Sequence, residues 1–291
     1  MSTRAFCPAD DARQRLAEDR LYRFHGGLRL RHNKKISCEL PVSAVPLPER
    51  LFVPLQQQAG PEARANVDVG QQVLKGEVIG CFRHLGAGCL HAPTSGTVEA
   101  ITDHPASQAS GRDGRCIVIR ADGRDAWRPR EPIGDWCAAE PRDLRNRIAG
   151  CGIVGLGGAA FPMHVKLRPP KDQPIEVLIV NGCECEPYLT SDHRTMLEHP
   201  DDVHMGIRIV LRALGINRAV IGIEANKPDA IEVMEKFAGD DITFDRGLRH
   251  RSRQRCDVRG NVGNRHTVGQ RHRHGRVGRR VCLRRQLSPT G

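Results

Sequence analysis

The chain has 291 residues, 39% of them hydrophobic but only 4% aromatic, and a formal net charge of +11. It contains no run of eighteen apolar residues, which excludes a helix crossing a membrane, and its first residues, "MSTRAFCPADDARQRLAEDRLYRF", lack the apolar core of an export signal. Eleven cysteines without such a signal read as reduced thiols in a cytoplasmic setting rather than as a disulfide framework.

The charge is unevenly placed. Residues 246–291 hold 14 Arg, no Lys and one acid, Asp257, so this tail carries +13 and residues 1–245 carry −2. The tail also lacks Ala, Ile, Phe, Met, Trp, Tyr and Glu, and with them the helix formers and large apolar residues of a core. The remaining 245 residues suffice for two ordinary domains built on Val, Ile, Leu and Ala.

In chain order, residues 1–23 form a polar lead-in, and Gly26-Gly27 marks a turn in "FHGGLRL". Four prolines among residues 41–54 suit an extended arm better than a helix. Short β patterns with regular turn signals then follow, among them "NVDVGQQVLKGEVIG", "HAPTSGTVEAI" and "RCIVIRA". They predict a small β barrel-sandwich over residues 24–120, similar to biotinyl and lipoyl domains. A carrier of that kind needs a modifiable lysine on its hairpin. Residues 81–90, "CFRHLGAGCL", contain none, so the domain is read as structural. Residues 121–140 read as a linker whose Trp127 and Trp136 anchor onto the next domain.

From residue 141 the pattern changes to α/β. "RDLRNRIAG" fits a short helix ending at Gly150, and "IEVLIVNG" is a β-branched apolar run of the kind buried on both faces of a parallel sheet. Beyond it, Ser191 or Asp192 is placed to cap a helix broken near Pro200, and Val203, Ile207, Val210, Leu211 and Leu214 line one helical face. "RAVIGIE", "KPDAIEVMEKFAG" and "DITF" complete a strand, helix, strand alternation over residues 141–245.

Two loops of this region carry chemistry. Gly155-Leu156-Gly157-Gly158-Ala159-Ala160-Phe161-Pro162 is nearly bare of side chains, so its N–H groups can approach a flat or anionic ligand, with Lys166 one helical turn on. Asn181-Gly182-Cys183-Glu184-Cys185-Glu186-Pro187 sets two carboxylates just past a strand end, where open α/β sheets bind ligands. Each alone is also ordinary: a plain glycine turn, solvated loop acids, a surface lysine. As an ordered set they point to a nucleotide or flavin pocket. Cys183 and Cys185 are one residue too close for the C-x-x-C of zinc or iron–sulfur ligation, and no cluster-binding cysteine run occurs.

"GIVGLGGAAFPMHVKL" followed by "VNGCECEPYLTSDHRTMLEHPDDV", with "FHGGLRLRHNKKIS" near the N-terminus, resembles RnfC. RnfC is the C subunit of the Rnf ion-translocating electron transport complex. More distantly the same stretch is similar to the NADH-oxidising flavoprotein subunit of respiratory complex I. The resemblance runs from about Phe24 to about Phe244. It implies FMN held against Gly155, Gly157, Gly158 and Ala159, with Phe161 stacking on the incoming nicotinamide and Lys166 neutralising the flavin phosphate. It gives Asn181 a bond to the flavin or its ribityl chain, and Glu184 and Glu186 the orienting of flavin and NADH. It further implies electron transfer from NADH, other Rnf subunits as partners, and a peripheral place on the cytoplasmic face of the bacterial inner membrane. The family's two 4Fe-4S clusters sit further toward the C-terminus than this chain reaches. Its next flavin-contacting glycine segment is expected after "DITF", where "DRGLRHRSRQR" stands instead.

The tail therefore has two readings. One is a basic arm of a non-catalytic protein that binds nucleic acid or anionic surfaces by charge alone. The other is the frameshifted translation of a GC-rich gene, leaving an irregular tail of residues 246–291 on a truncated RnfC with an incomplete flavin domain. The second accounts at once for the composition break, the missing residue types and the end of the resemblance. With it, no specific nucleic acid partner is expected, and the fragment is expected to be incompetent in electron relay.

Overall fold

The computed structural model describes residues 31–57, 61–82, 88–105, 113–156, 160–170, 172, 174–184, 186–239, 242–248 and 279–283, with backbone only for 243–248 and 279–283. These fall into two compact units, one built on residues 43–170 with 212–214, the other on residues up to 42, 171–211 and 215–287. Residues 1–30, most of the tail, Gly157, Gly158, Ala159 and Cys185 lie outside the described residues.

The first unit carries two antiparallel sheets. One has the order β1 (Arg50–Pro54), β7 (Asp113–Ala121), β6 (Gly96–Pro105), β3 (Gln72–Val73). The other has the order β2 (Arg64–Ala65), β4 (Val78–Cys81), β5 (Cys89–His91). Alternation drives the packing: Val53, Val73, Ile79, Val98, Ile117 and Ile119 point into one shared core. This is the barrel-sandwich architecture that the short β patterns predict, with its described strands between Arg50 and Ala121.

Trp127 anchors differently from expectation. It lies back on the barrel, bridged to Lys75, with Lys75 Nζ 4.9 Å and the Arg130 guanidinium 4.1 Å from its ring centroid. The same unit continues through helix α1 (Pro141–Gly150), which opens on proline at its first position and buries Leu144 and Ile148. It then takes in the glycine loop and the single-turn α2 (Met163–Lys166).

The second unit is a four-stranded parallel sheet of order β10 (Ile242–Leu248), β9 (Ala219–Glu224), β8 (Ile175–Asn181), β11 (Arg279–Leu283). Helices α3 (Ser191–Glu198) and α4 (Pro200–Leu214) connect β8 to β9, and α5 (Pro228–Lys236) connects β9 to β10. The break falls at His199-Pro200, since proline clashes with a continuing helix. Ile207, Val210 and Leu211 of α4 are buried, whereas Val203 and Leu214 are only partly covered. β9 is buried along nearly its whole length, as its apolar run requires. Of the tail expected to be irregular, residues 246–248 end β10 and residues 279–283 form β11.

Candidate functional site

The glycine loop is a pinned hairpin. Past α1 the chain turns at Gly152, whose φ of +65° suits a residue without Cβ. Val154 then bridges Pro162, Gly155 N–H donates to the Phe161 carbonyl at 2.9 Å, and Met163 N–H donates to the Ile153 carbonyl at 2.9 Å. These bonds fix both stems; Gly157, Gly158 and Ala159, between the stems in sequence, lie outside the described residues. Ala160 has a φ of +44°, in the left-handed region. Leu167 and Met163 are buried and root the turn of α2. Lys166 consequently folds back: its Nζ occupies the space a Cβ on Gly155 would need, 6.0 Å from the centroid of the half-buried Phe161 ring. An aromatic face and an ammonium are thus presented together beside the backbone of the loop.

The acidic loop starts where β8 ends. Asn181 Oδ1 accepts from Cys183 N–H at 3.0 Å, so its side chain shapes the turn itself. Gly182 N–H continues the pairing to the Gly222 carbonyl of β9 at 2.8 Å, and Cys183 is buried beneath. The two carboxylates then part company. Glu184 is 0% exposed, and its Oε1 accepts from Asp192 N–H at 2.6 Å and from Ser191 Oγ at 3.4 Å. The N-cap position of α3 is Thr190 rather than Ser191 or Asp192, and its side chain makes no capping bond; Glu184 accepts from the first turn instead, where the helix dipole favours a negative charge. Glu186 faces solvent.

Behind Glu184 stands a buried charge network that sequence reasoning did not assemble. Lys34 Nζ lies 3.6 Å from Glu184 Oε2 and donates to the carbonyls of Glu184 at 2.5 Å and Leu189 at 2.6 Å. Tyr188 N–H donates to the His32 carbonyl at 2.8 Å, tying the same segment down. Burial lowers the Lys34 pKa despite the attraction of Glu184. From the end of β9, Glu224 Oε2 accepts from Glu184 N–H at 3.4 Å and pairs with the buried Lys227. Two cations and two anions therefore balance at the carboxyl ends of two adjacent parallel strands. His193 Nε2 of α3 pairs with both oxygens of Asp229 at 3.0 Å; burial raises the Asp229 pKa, but that bond and its neighbours hold it below its usual range. Lys34 belongs to the quoted "HNKKIS", and Glu224 with Lys227 to "IGIEANKP" at a strand end, so the signals were present. Their convergence was not legible.

Comparison with known proteins places this geometry in a family. The barrel-sandwich hybrid domain of RnfC matches residues 22–124, and the Nuo51 FMN-binding domain matches residues 148–252, eight residues beyond Phe244. The C subunit of the proton-translocating ferredoxin:NAD(+) oxidoreductase complex of Clostridium ljungdahlii is 40% identical over 223 residues, 75% of this chain and 48% of the relative. The C subunit of the ion-translocating oxidoreductase complex of Pseudomonas aeruginosa is 44% identical over 220 residues, 76% of this chain and 28% of the relative. Among solved structures, an NAD+-reducing NiFe hydrogenase in its air-oxidised state is 22% identical over 36% of this chain and 20% of its own, with a TM-score of 0.30. The chain thus spans half or less of the length of these curated relatives, and its residues 22–252 are RnfC-like, a match to the RnfC barrel-sandwich hybrid domain followed by a match to an FMN-binding domain.

Proposed function

We propose that the chain represents the part of an Rnf-type electron-transfer subunit that binds FMN and takes electrons from NADH toward iron–sulfur clusters. The observation that carries this reading is the pinned glycine hairpin with Lys166 turned onto Gly155, inside a stretch matching an FMN-binding domain. The residues present fit that group. Gly155, without a side chain, leaves the space that the Lys166 ammonium occupies, Lys166 supplies a cation for a phosphate, and Phe161 offers a half-buried ring to a planar partner.

In this reading Gly157, Gly158 and Ala159 lend backbone N–H groups to the flavin; Gly155, expected to do the same, has its N–H bonded to the Phe161 carbonyl and instead makes room for Lys166, which neutralises the flavin phosphate. Asn181 holds the turn of the acidic loop and bonds the flavin chain, and the exposed Glu186 receives a hydroxyl or amide of the nucleotide. Glu184 acts in the same loop from within, by fixing its path through α3 and Lys34. FMN, when bound, supplies the acceptance of a hydride and its release as single electrons; the protein contributes placement and charge. With no described helix long and apolar enough to cross a membrane, the chain would serve as a peripheral subunit, on the cytoplasmic face. The tail after residue 245 is read as out-of-frame sequence.

The test is reconstitution of the full chain with FMN, followed by desalting and anaerobic NADH. Retained yellow absorbance that NADH bleaches is the expected result. A colourless protein after desalting would overturn the reading. Yellow protein that NADH leaves unbleached would retain FMN binding and remove NADH as donor.

A further inference from the structure

Three cysteines gather in the barrel unit, outside the residues assigned to the candidate site. Cys81 of β4 and Cys89 of β5 are direct cross-strand partners, with sulfurs 3.2 Å apart. Phe82 N–H donates to the Gly88 carbonyl at 3.0 Å, so the cysteine pair occupies the adjoining non-hydrogen-bonded position. There opposed Cα atoms approach to about 4.5 Å, within the range a disulfide spans. Both side chains are partly exposed. The exposed Asn66 donates its amide to Cys81 Sγ at 3.2 Å. Cys151, which is exposed, precedes Gly152, and Gly152 packs on the Cys89 carbonyl.

We propose that Cys81 and Cys89 are a thiol-modification site that closes to a reversible cross-strand disulfide by exchange with a low-molecular-weight disulfide such as oxidised glutathione. Cys81 is the attacking sulfur, because the Asn66 amide donates a hydrogen bond to it. Burial first, and then the bond to Cys81, push the Cys89 pKa up to about 12, so Cys89 keeps its proton and acts second. The Cys81 thiolate attacks one sulfur of the small disulfide, forming a mixed disulfide and expelling one thiolate. Cys89 then loses its proton to solvent, attacks Cys81 Sγ and expels the second. Two protein sulfurs are oxidised, one small disulfide is reduced to two thiols, and the protons released by the cysteines end on them. The sulfurs need to close by only about 1 Å to reach bonding distance.

The experiment treats the reduced full-length chain with excess oxidised glutathione and maps its peptides by mass spectrometry without reductant. The expected result is a Cys81–Cys89 bridge that dithiothreitol reverses, that persists in Cys151→Ser, and that forms at least about threefold more slowly in Asn66→Ala. Cys89→Ser should hold glutathione on Cys81. A bridge from either cysteine to Cys151 would overturn the proposal, and so would glutathione adducts on the wild type without any bridge. The wild-type map decides the matter even where a variant fails to fold.

Discussion

Replacing Lys34 with methionine tests the buried network most directly. Its ammonium meets Glu184 Oε2 at 3.6 Å and donates to two backbone carbonyls of the acidic loop. At that separation and an effective dielectric of 20 the gross attraction is about 5 kcal/mol. Desolvation cancels much of it, since burial lowers the Lys34 pKa against the pull of Glu184. The intact pair is therefore worth little, but removing one member is expensive. It strands a wholly buried carboxylate and leaves two carbonyls without their donor. Breaking a buried pair from one side costs about 3–5 kcal/mol. For a chain of this size that lowers the melting temperature by roughly 6–20 °C. Lys35 is exposed, and Lys35→Met should cost under about 0.5 kcal/mol. Adding Glu184→Gln to Lys34→Met should recover part of the loss, because the stranded charge is gone. The folded state also holds the Lys34 proton less firmly than the unfolded chain. Stability should thus rise with pH from the lowered value up to 10.5, and Lys34→Met should flatten that rise. Thermal and urea unfolding of the full chain supply the measurements. Equal stabilities for the Lys34 and Lys35 variants would refute the reasoning.

The two carboxylates of the acidic loop should separate by assay: Glu184→Gln lowers stability by about 1–3 kcal/mol, whereas Glu186→Gln leaves the melting curve in place and weakens nucleotide binding measured by flavin fluorescence. Gly155→Ala displaces the Lys166 ammonium and should weaken FMN retention about tenfold with little change in melting temperature, as read by equilibrium dialysis. Asp229 has a folded pKa below 3.8, so its contribution is complete above 3.8 and disappears as pH falls through the folded value. Asp229→Asn should lack that part of the acid transition, which a pH series of urea melts would reveal. Reading the coding DNA in the other two frames after codon 245 should recover a glycine-rich flavin-contacting segment, and a stretch of unrelated sequence in both frames would end the frameshift reading.

The secondary structure was legible wherever burial is two-sided or strictly alternating. β8 and β9 announce themselves by apolar, β-branched runs, and the barrel strands by alternation, since each pattern satisfies backbone bonding and solvent exclusion together. Trp127 was misread because composition identifies an anchor without saying to which side it swings. The cations at 4.9 and 4.1 Å that hold it come from Lys75, far back in the chain, and from Arg130.

The candidate site was legible only as far as its residue types. Glycine content foretold an open loop, but not that a single-turn helix would aim Lys166 back at Gly155. Glu184 and Glu186, two residues apart past a strand end, look interchangeable in sequence. What divides them is the start of α3, where the Asp192 N–H and the Ser191 hydroxyl draw Glu184 inward although Glu186 is the nearer in sequence. Once inside, Glu184 requires a counter-charge, and Lys34 arrives across a sequence gap that no local pattern spans. A buried acid in such a loop is thus better read as a demand on the fold than as a ligand. The exposed partner, Glu186, is the one whose removal should change binding without changing folding.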